Sequence, residues 1–155
     1  MKILALDPAT VTGFAYSNGA SGTWDLSVRK DESSGMRLIR FEAKVREIID
    51  TVGVDVIAFE TPTVGKGKKA NFDALKLQTK MQAVVELVAE QTEGVEYIGY
   101  HLSTIKKFAL PNAKTRDKAA MLAAAKKKWP DVDIIDDNQA DAMFLLALAQ
   151  YELGG

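Results

Sequence analysis

The hydrophobic periodicity of this chain changes at Gly35, and that change dictates most of its architecture. Before it stand Ile3-Leu4-Ala5-Leu6-Asp7, Phe14-Ala15-Tyr16 and Thr23-Trp24-Asp25-Leu26-Ser27-Val28, short segments of the strand kind. A Gly13-containing turn separates the first pair, and Asn18-Gly19 with Ser21-Gly22 the second. Tight turns of this sort join sequential strands into an antiparallel meander. After Gly35, Leu38, Phe41, Val45, Ile48 and Ile49 recur at spacings of three and four, with Arg37, Arg40, Lys44 and Arg46 between them. That is the pattern of an amphipathic helix, stopped near Gly53. Residues 54–60 read as a strand again, and Pro62, Gly65 and Gly67 force a loop after it. Strand, helix and strand in this order imply a right-handed crossover and parallel pairing with the first strand.

The remaining pattern predicts a long helix over about 71–91, a fifth strand over 95–100, a short helix near 103–108, a lysine-rich helix over about 115–129 and a last helix over about 139–151. Together these give an α/β fold of the ribonuclease H-like kind. It is a mixed five-stranded sheet, three antiparallel strands then two parallel, with helices on both faces. With 155 residues, 47% of them hydrophobic, and no repeat or linker composition, residues 1–155 are expected to form one domain.

Composition narrows the chemistry. There is no cysteine and only one histidine, His101, so thiolate and multi-histidine metal sites are excluded and any metal must be held by oxygen. The longest apolar stretch, 140–149, falls well short of the ~20 residues of a membrane span, and no basic flank precedes a cleavable apolar segment. A cytoplasmic protein with no membrane partner is expected. The near-neutral total conceals strong segregation of charge. Residues 1–60 hold 7 basic and 9 acidic side chains, residues 61–130 hold 13 and 6, and residues 131–155 hold none and 6. A basic middle with acidic flanks suits a polyanion-binding face beside a carboxylate-rich metal site, although a solvated helix with an acidic tail has the same composition.

The carboxylates are more specific. Asp7 and Glu60 each end a strand expected to be central and parallel, where the diverging connections leave a crevice. Neighbouring strands lie about 4.8 Å apart, so two carboxylates at matched height can share a cation. Asp136-Asp137-Asn138-Gln139-Ala140-Asp141 opens the last helix, and either Asp137 or Asn138 can share a face with Asp141. Taken singly, Asp136 or Asp137 could cap that helix and Asp7 could form a turn. Glu60 has no such excuse, because a glutamate ending an apolar strand gains nothing as a turn former and is costly to bury unpaired. Hard oxygen ligands point to Mg²⁺ or Mn²⁺, and two ions about 4 Å apart would serve in-line phosphodiester hydrolysis.

Asp7-Pro8-Ala9 with Thr12-Gly13, Phe59-Glu60, and Asp136 to Ala142 together resemble the RuvC family of Holliday-junction resolvases, from Ile3 to about Leu148. Ala74-Leu75-Lys76-Leu77 and Ser103-Thr104-Ile105-Lys106-Lys107 add to the resemblance. It implies a homodimeric, Mg²⁺-dependent endonuclease that nicks opposing strands of a four-way DNA junction. It also implies that Asp7, Glu60 and Asp141 are metal ligands. The fourth ligand falls at Asn138, or at Asp137 one place earlier, which brings the charge and is preferred. Lys107 and Lys118 stand about where the family carries lysines near the scissile phosphate, with Lys114 a competitor, and Lys118 is counted with the catalytic set. Lys66, Lys68 and Lys69 form a basic, glycine-containing loop able to follow a bent backbone. The family's wedging aromatic is absent from that loop, and Phe72 is the nearest ring. This departure, the alanines at 5 and 9 and the Asp-Asp-Asn-x-Ala-Asp motif look like the phage branch, with looser selectivity for branched DNA.

Two other readings share these residues: a ribonuclease acting on RNA–DNA hybrids, and a non-catalytic branched-DNA-binding module in which Asn138 marks a decayed site. Lys126, Lys127 and Lys128 read as a solvated helix end, Trp24 and Trp129 as packing residues, and His101 as structural.

Overall fold

A computed structural model describes residues 1–63 and 72–154. The described residues form five strands and five helices, in the order the periodicity predicts. They are β1 (Ile3–Asp7), β2 (Val11–Tyr16), β3 (Ser21–Asp25), α1 (Gly35–Val52), β4 (Val56–Glu60), α2 (Phe72–Glu90), β5 (Glu96–Tyr100), α3 (Leu102–Ala109), α4 (Lys118–Lys128) and α5 (Asp137–Leu153). The sheet order is β3-β2-β1-β4-β5, antiparallel across the first three strands and parallel from β1 through β4 to β5.

Alternation along the strands divides the core in two. Leu4, Leu6, Ile57 and Phe59 pack beneath α1 and α2 with Phe41, Val45, Met81 and Val85. Ile3, Ala5, Ala15 and Ala58 face α3, α4 and α5 with Ile105, Met121, Phe144 and Leu145. The second face is floored by alanine at the sheet centre, and there α5 lies against β2 and β1. Small residues let the helix axis approach the strands closely, which brings the start of α5 to the C-terminal edge of β1. Trp24 stacks on Phe14 at 5.0 Å and Trp129 packs on Phe144 at 4.9 Å, both as packing residues.

Several boundaries differ from those the sequence suggests. The second strand starts at Val11 rather than at Phe14, so Gly13 lies inside it, opposite Asp7 and Thr23. The turn is confined to Pro8, Ala9 and Thr10, where the Thr12 hydroxyl donates to the Ala9 carbonyl at 2.7 Å. Gly13 is a close-approach residue: a Cβ there would run into the backbone carbonyl of Asn138 on α5. The third strand ends at Asp25 instead of Val28, because the Asp25 carboxylate accepts from the Ser27 N–H and hydroxyl and turns the chain. Helix α4 begins at Lys118 rather than near 115, since the Asp117 side chain caps it by accepting from the Ala120 N–H at 2.8 Å. Helix α1 ends as expected on Gly53, at φ 81°, whose N–H returns to the Ile48 and Ile49 carbonyls.

Candidate active site

Leu6 of β1 is in register with Phe59 of β4, so the residues that follow, Asp7 and Glu60, leave the sheet side by side. Both have the parity of Ala5 and Ala58 and therefore face α5. Each is only 6% exposed. Asp141 comes to the same place from the first turns of α5, half-buried, four residues after Asp137. The cap of that helix is Asp136, whose carboxylate accepts from the Gln139 N–H at 2.9 Å. Asp137 is thereby left free of the capping role and stays 29% exposed.

Three carboxylates crowded into a buried corner resist ionisation. Burial pushes Asp7 well above the usual carboxylate range, and the charges of Glu60 and Asp141 push it further. Glu60 is raised as well, again by burial, while a hydrogen bond with Asp7, the Lys106 charge and the Gln78 amide pull it back. Burial, then Glu60 and Asp137, carry Asp141 up to about 7, against the opposing pull of Lys106 and Lys118. One oxygen, Asp141 Oδ1, is buried with no hydrogen-bond partner among the described residues. A buried acceptor left unmatched is expensive unless something positive completes it.

Among the described residues no group of three His, Asp or Glu side chains is drawn together as a formed metal site. Asp7 and Glu60 lie within hydrogen-bond reach of each other, an interaction that raises the pKa of Asp7 and lowers that of Glu60. The donors still fit a divalent ion of the Mg²⁺ or Mn²⁺ kind: they are all oxygen, clustered and raised in pKa, with an orphaned carboxylate oxygen among them. Asp7, Glu60 and Asp141 would hold it. Asp137 is close enough for its charge to act on both Asp7 and Asp141, while Asn138 lines the cleft that Gln78 also lines.

The basic residues are distributed unevenly around this corner. Lys118 opens α4 with its Nζ 3.9 Å from Asp137 Oδ2, and at 86% exposure this is a solvent-screened pair. Lys107 and Lys114 are exposed, with no carboxylate of the cluster paired to either. Lys106, one residue before Lys107 on α3, is the half-buried lysine whose charge acts on Glu60 and Asp141. Phe72 opens α2 and is largely exposed. Lys66, Lys68 and Lys69 lie outside the described residues. His101 is exposed at the start of α3, with Nδ1 3.2 Å from the Thr61 hydroxyl.

Two glutamines complete the site without having been singled out by sequence. Gln78 of α2 donates from Nε2 to Glu60 Oε2 at 3.3 Å and so links that helix to the acid. Gln139 is fully buried beneath the start of α5. Its Oε1 accepts from the Ile135 N–H at 2.9 Å, and its Nε2 donates to Ser21 Oγ at 3.1 Å and to the Asp133 carbonyl at 3.3 Å. This single amide staples the acidic segment to β3. Its position inside the Asp136–Asp141 motif was the available signal, since an amide among acids is otherwise an unremarked surface residue.

No protein-family model matches the sequence, and neither does any curated protein. Solved structures do match in fold. The chain superposes on Thermus thermophilus RuvC in complex with a Holliday junction substrate with a TM-score of 0.75 at 18% identity, covering 99% of this chain and 96% of that one. A second Thermus thermophilus RuvC structure gives 0.71 at 16% identity, covering 99% and 97%. The yeast mitochondrial Holliday junction resolvase Ydc2 gives 0.62 at 9% identity, covering 92% of this chain and 75% of that one. The chain thus has the ribonuclease H-like fold of the RuvC Holliday-junction resolvases, a mixed five-stranded sheet with helices on both faces.

Proposed function

We propose that this protein is a metal-dependent, structure-selective DNA endonuclease that resolves four-way junctions, and other branched DNA, by phosphodiester hydrolysis. The observation that carries the proposal is the convergence of Asp7, Glu60 and Asp141 from two adjacent strands and one helix. Burial and mutual repulsion raise the pKa of all three, a strain that a bound cation would relieve. The RuvC likeness supports the substrate class, since one of the similar structures is a complex with a Holliday junction.

In this reading Asp7, Glu60 and Asp141, with Asp137 or Asn138, hold two Mg²⁺ ions, for which Mn²⁺ substitutes. When bound, such ions supply Lewis-acid stabilisation and a low-pKa water for in-line attack. The chain's own residues do the rest. Gln78 fixes the rotamer of Glu60 through its 3.3 Å hydrogen bond, and Gln139 fixes the height of α5 against the sheet. Lys106 offsets the negative charge of Glu60 and Asp141, which lowers the cost of bringing a phosphate to the acids. Lys118, extended into solvent beside Asp137, is available to a phosphate at the mouth of the cleft, as are Lys107 and Lys114. The protein acts as a homodimer in this proposal, because an isologous pair matches the two-fold symmetry of a junction. The Asp136–Asp141 motif and the lack of an aromatic in the loop after Glu60 support a phage-type member.

The test is nicking of a synthetic four-way junction in Mg²⁺ with the cut sites mapped. Symmetric nicks across the junction are expected. Cleavage of an RNA–DNA hybrid with no cleavage of branched DNA would replace this reading with a hybrid-specific ribonuclease. Tight junction binding with no nicking in either Mg²⁺ or Mn²⁺ would make the protein a non-catalytic binding module.

A further inference from the structure

A furrow between α1 and the first turns of α2 carries three cations that form no ion pair among the described residues. Two depressions, of about 560 and 330 Å³, share Arg37 and Asp73 and therefore form one continuous channel along the surface. Its inner end is lined by Gln78 and Asn138, and its outer end by Lys76 and Lys80. Gln78 also donates to Glu60, so the inner end of the furrow adjoins the acid cluster.

The charges in it differ from those elsewhere on α1. Arg40 is paired with Glu32, and Arg46 with Glu42 at 3.2 Å. Arg37, on the same helix, is half-buried and donates from Nε to the Leu26 carbonyl at 3.2 Å. That bond anchors the guanidinium at the furrow, where it forms no ion pair among the described residues. Lys76 and Lys80 are exposed one turn apart on α2, and neither forms an ion pair among the described residues. Like charges at that spacing cost a helix stability, and no ion pair among the described residues offsets that cost. Asp73, the acid of the furrow, lies beyond ion-pair distance of all three. A fixed guanidinium fork beside two mobile ammonium groups is an arrangement suited to successive phosphodiesters.

We propose that this furrow is a second backbone track, in which the phosphates of the DNA arm leaving the acid cluster bind against Arg37, Lys76 and Lys80. The proposal rests on the endonuclease reading and extends it, by assigning the path of the strand that flanks the cut. Contacts of this kind position the arm without reading its sequence. The furrow thus sets the direction in which an arm departs, which a branched substrate can satisfy at the acid cluster.

The experiment compares the wild type, the triple variant Arg37→Gln/Lys76→Gln/Lys80→Gln, and a charge-matched control, Lys126→Gln/Lys127→Gln/Lys128→Gln, at the far end of α4. Binding of a fluorescent four-way junction is measured in EDTA over a range of salt, and nicking of the same junction in Mg²⁺. The furrow variant is expected to bind about 10-fold or more weaker near 0.1 M salt. Its log–log salt slope should be shallower by about 2 to 3, while the control stays close to wild type. The single variants Lys76→Gln and Lys80→Gln, both on exposed helix surface, should each lower the slope by about 1 and cover the case of a triple variant that fails to fold. If the wild type binds and nicks junctions while the furrow variants keep its affinity and slope, or lose no more than the control, the track is overturned and the endonuclease reading stands. If the wild type neither binds nor nicks branched DNA, the endonuclease reading fails and the track falls with it.

Discussion

Two groups of carboxylates in this molecule sit in opposite electrostatic worlds. Glu32, in the turn before α1, accepts from Arg40 and from the Arg29 N–H, and those bonds hold it down at about 2. Asp7, Glu60 and Asp141 are buried against one another, and their pKa values all move up. Near neutral pH the first group stabilises the fold, and the second costs it stability until a proton or a cation intervenes. Acids gathered under a helix cost the fold stability, and that difference is what supports reading the second group as the proposed metal site.

The largest expected effects remove members of the second group. Asp7→Asn or Glu60→Gln should lower junction nicking by more than about 100-fold, since loss of a metal ligand exceeds what loss of an outer partner costs. Full activity in either variant would end the two-metal assignment. Gly13→Ala tests the geometry in a different way. A methyl there must displace the Asn138 backbone, so α5 and Asp141 move away from Asp7. Nicking should fall by about 10-fold or more with every proposed ligand chemically intact. Rescue by no change in metal concentration would distinguish misplacement from weak binding.

Much of this arrangement is legible in the sequence, but not the parts that depend on which elements touch. Asp7 and Glu60 stand out because each closes an apolar run, and the amphipathic spacing of α1 fixes the parallel pairing that makes them neighbours. Gly13 misleads, because glycine after a strand signals a turn and this one sits mid-strand to admit a helix end. The same limit applies to the lysines. Lys106 and Lys107 are adjacent in sequence and lie about 100° apart around α3, and only the docking of that helix decides which one feels the acids. The roles of Gln78 and Gln139 likewise come from partners 18 and 118 residues away in the chain.

Stability measurements sharpen the contrast without any DNA. At pH 7.5, saturating Mg²⁺ or Mn²⁺ should raise Tm by about 5 °C or more in the wild type, the shift expected when ligand stands well above Kd. Asp7→Asn should abolish that rise, while Glu32→Gln should leave it intact. In the metal-free protein Asp141 titrates near 7 in the folded state against an ordinary 3.8. A raised folded pKa contributes stability that is complete below the ordinary value and is lost as pH rises through the folded one. Tm of the metal-free chain should therefore decline between about pH 4 and 7, and saturating metal should flatten the decline. A profile that is level over that window with EDTA present would mean that the acids are not in each other's field.

The smallest effect comes from the paired group, and its sign is opposite. Glu32 is lowered from 4.5 to about 2, so its contribution is present above 4.5 and is lost as pH falls through the folded value. Its partners Arg29 and Arg40 reach it from the surface, where water and salt screen the attraction. Glu32→Gln should accordingly shift Tm at pH 7 by only about 2 °C or less, downward, and the shift should shrink further in 0.5–1 M salt, where the Debye length is roughly 3–5 Å. As pH falls below about 2 the variant and the wild type should converge, because protonation has by then removed from the wild type what the substitution removes. The same substitution leaves the acid corner untouched, so metal binding and nicking should match the wild type. A Glu32→Gln protein that lost metal binding would show that the two groups are coupled through α1, and the separation between packing acids and chemical acids would no longer hold.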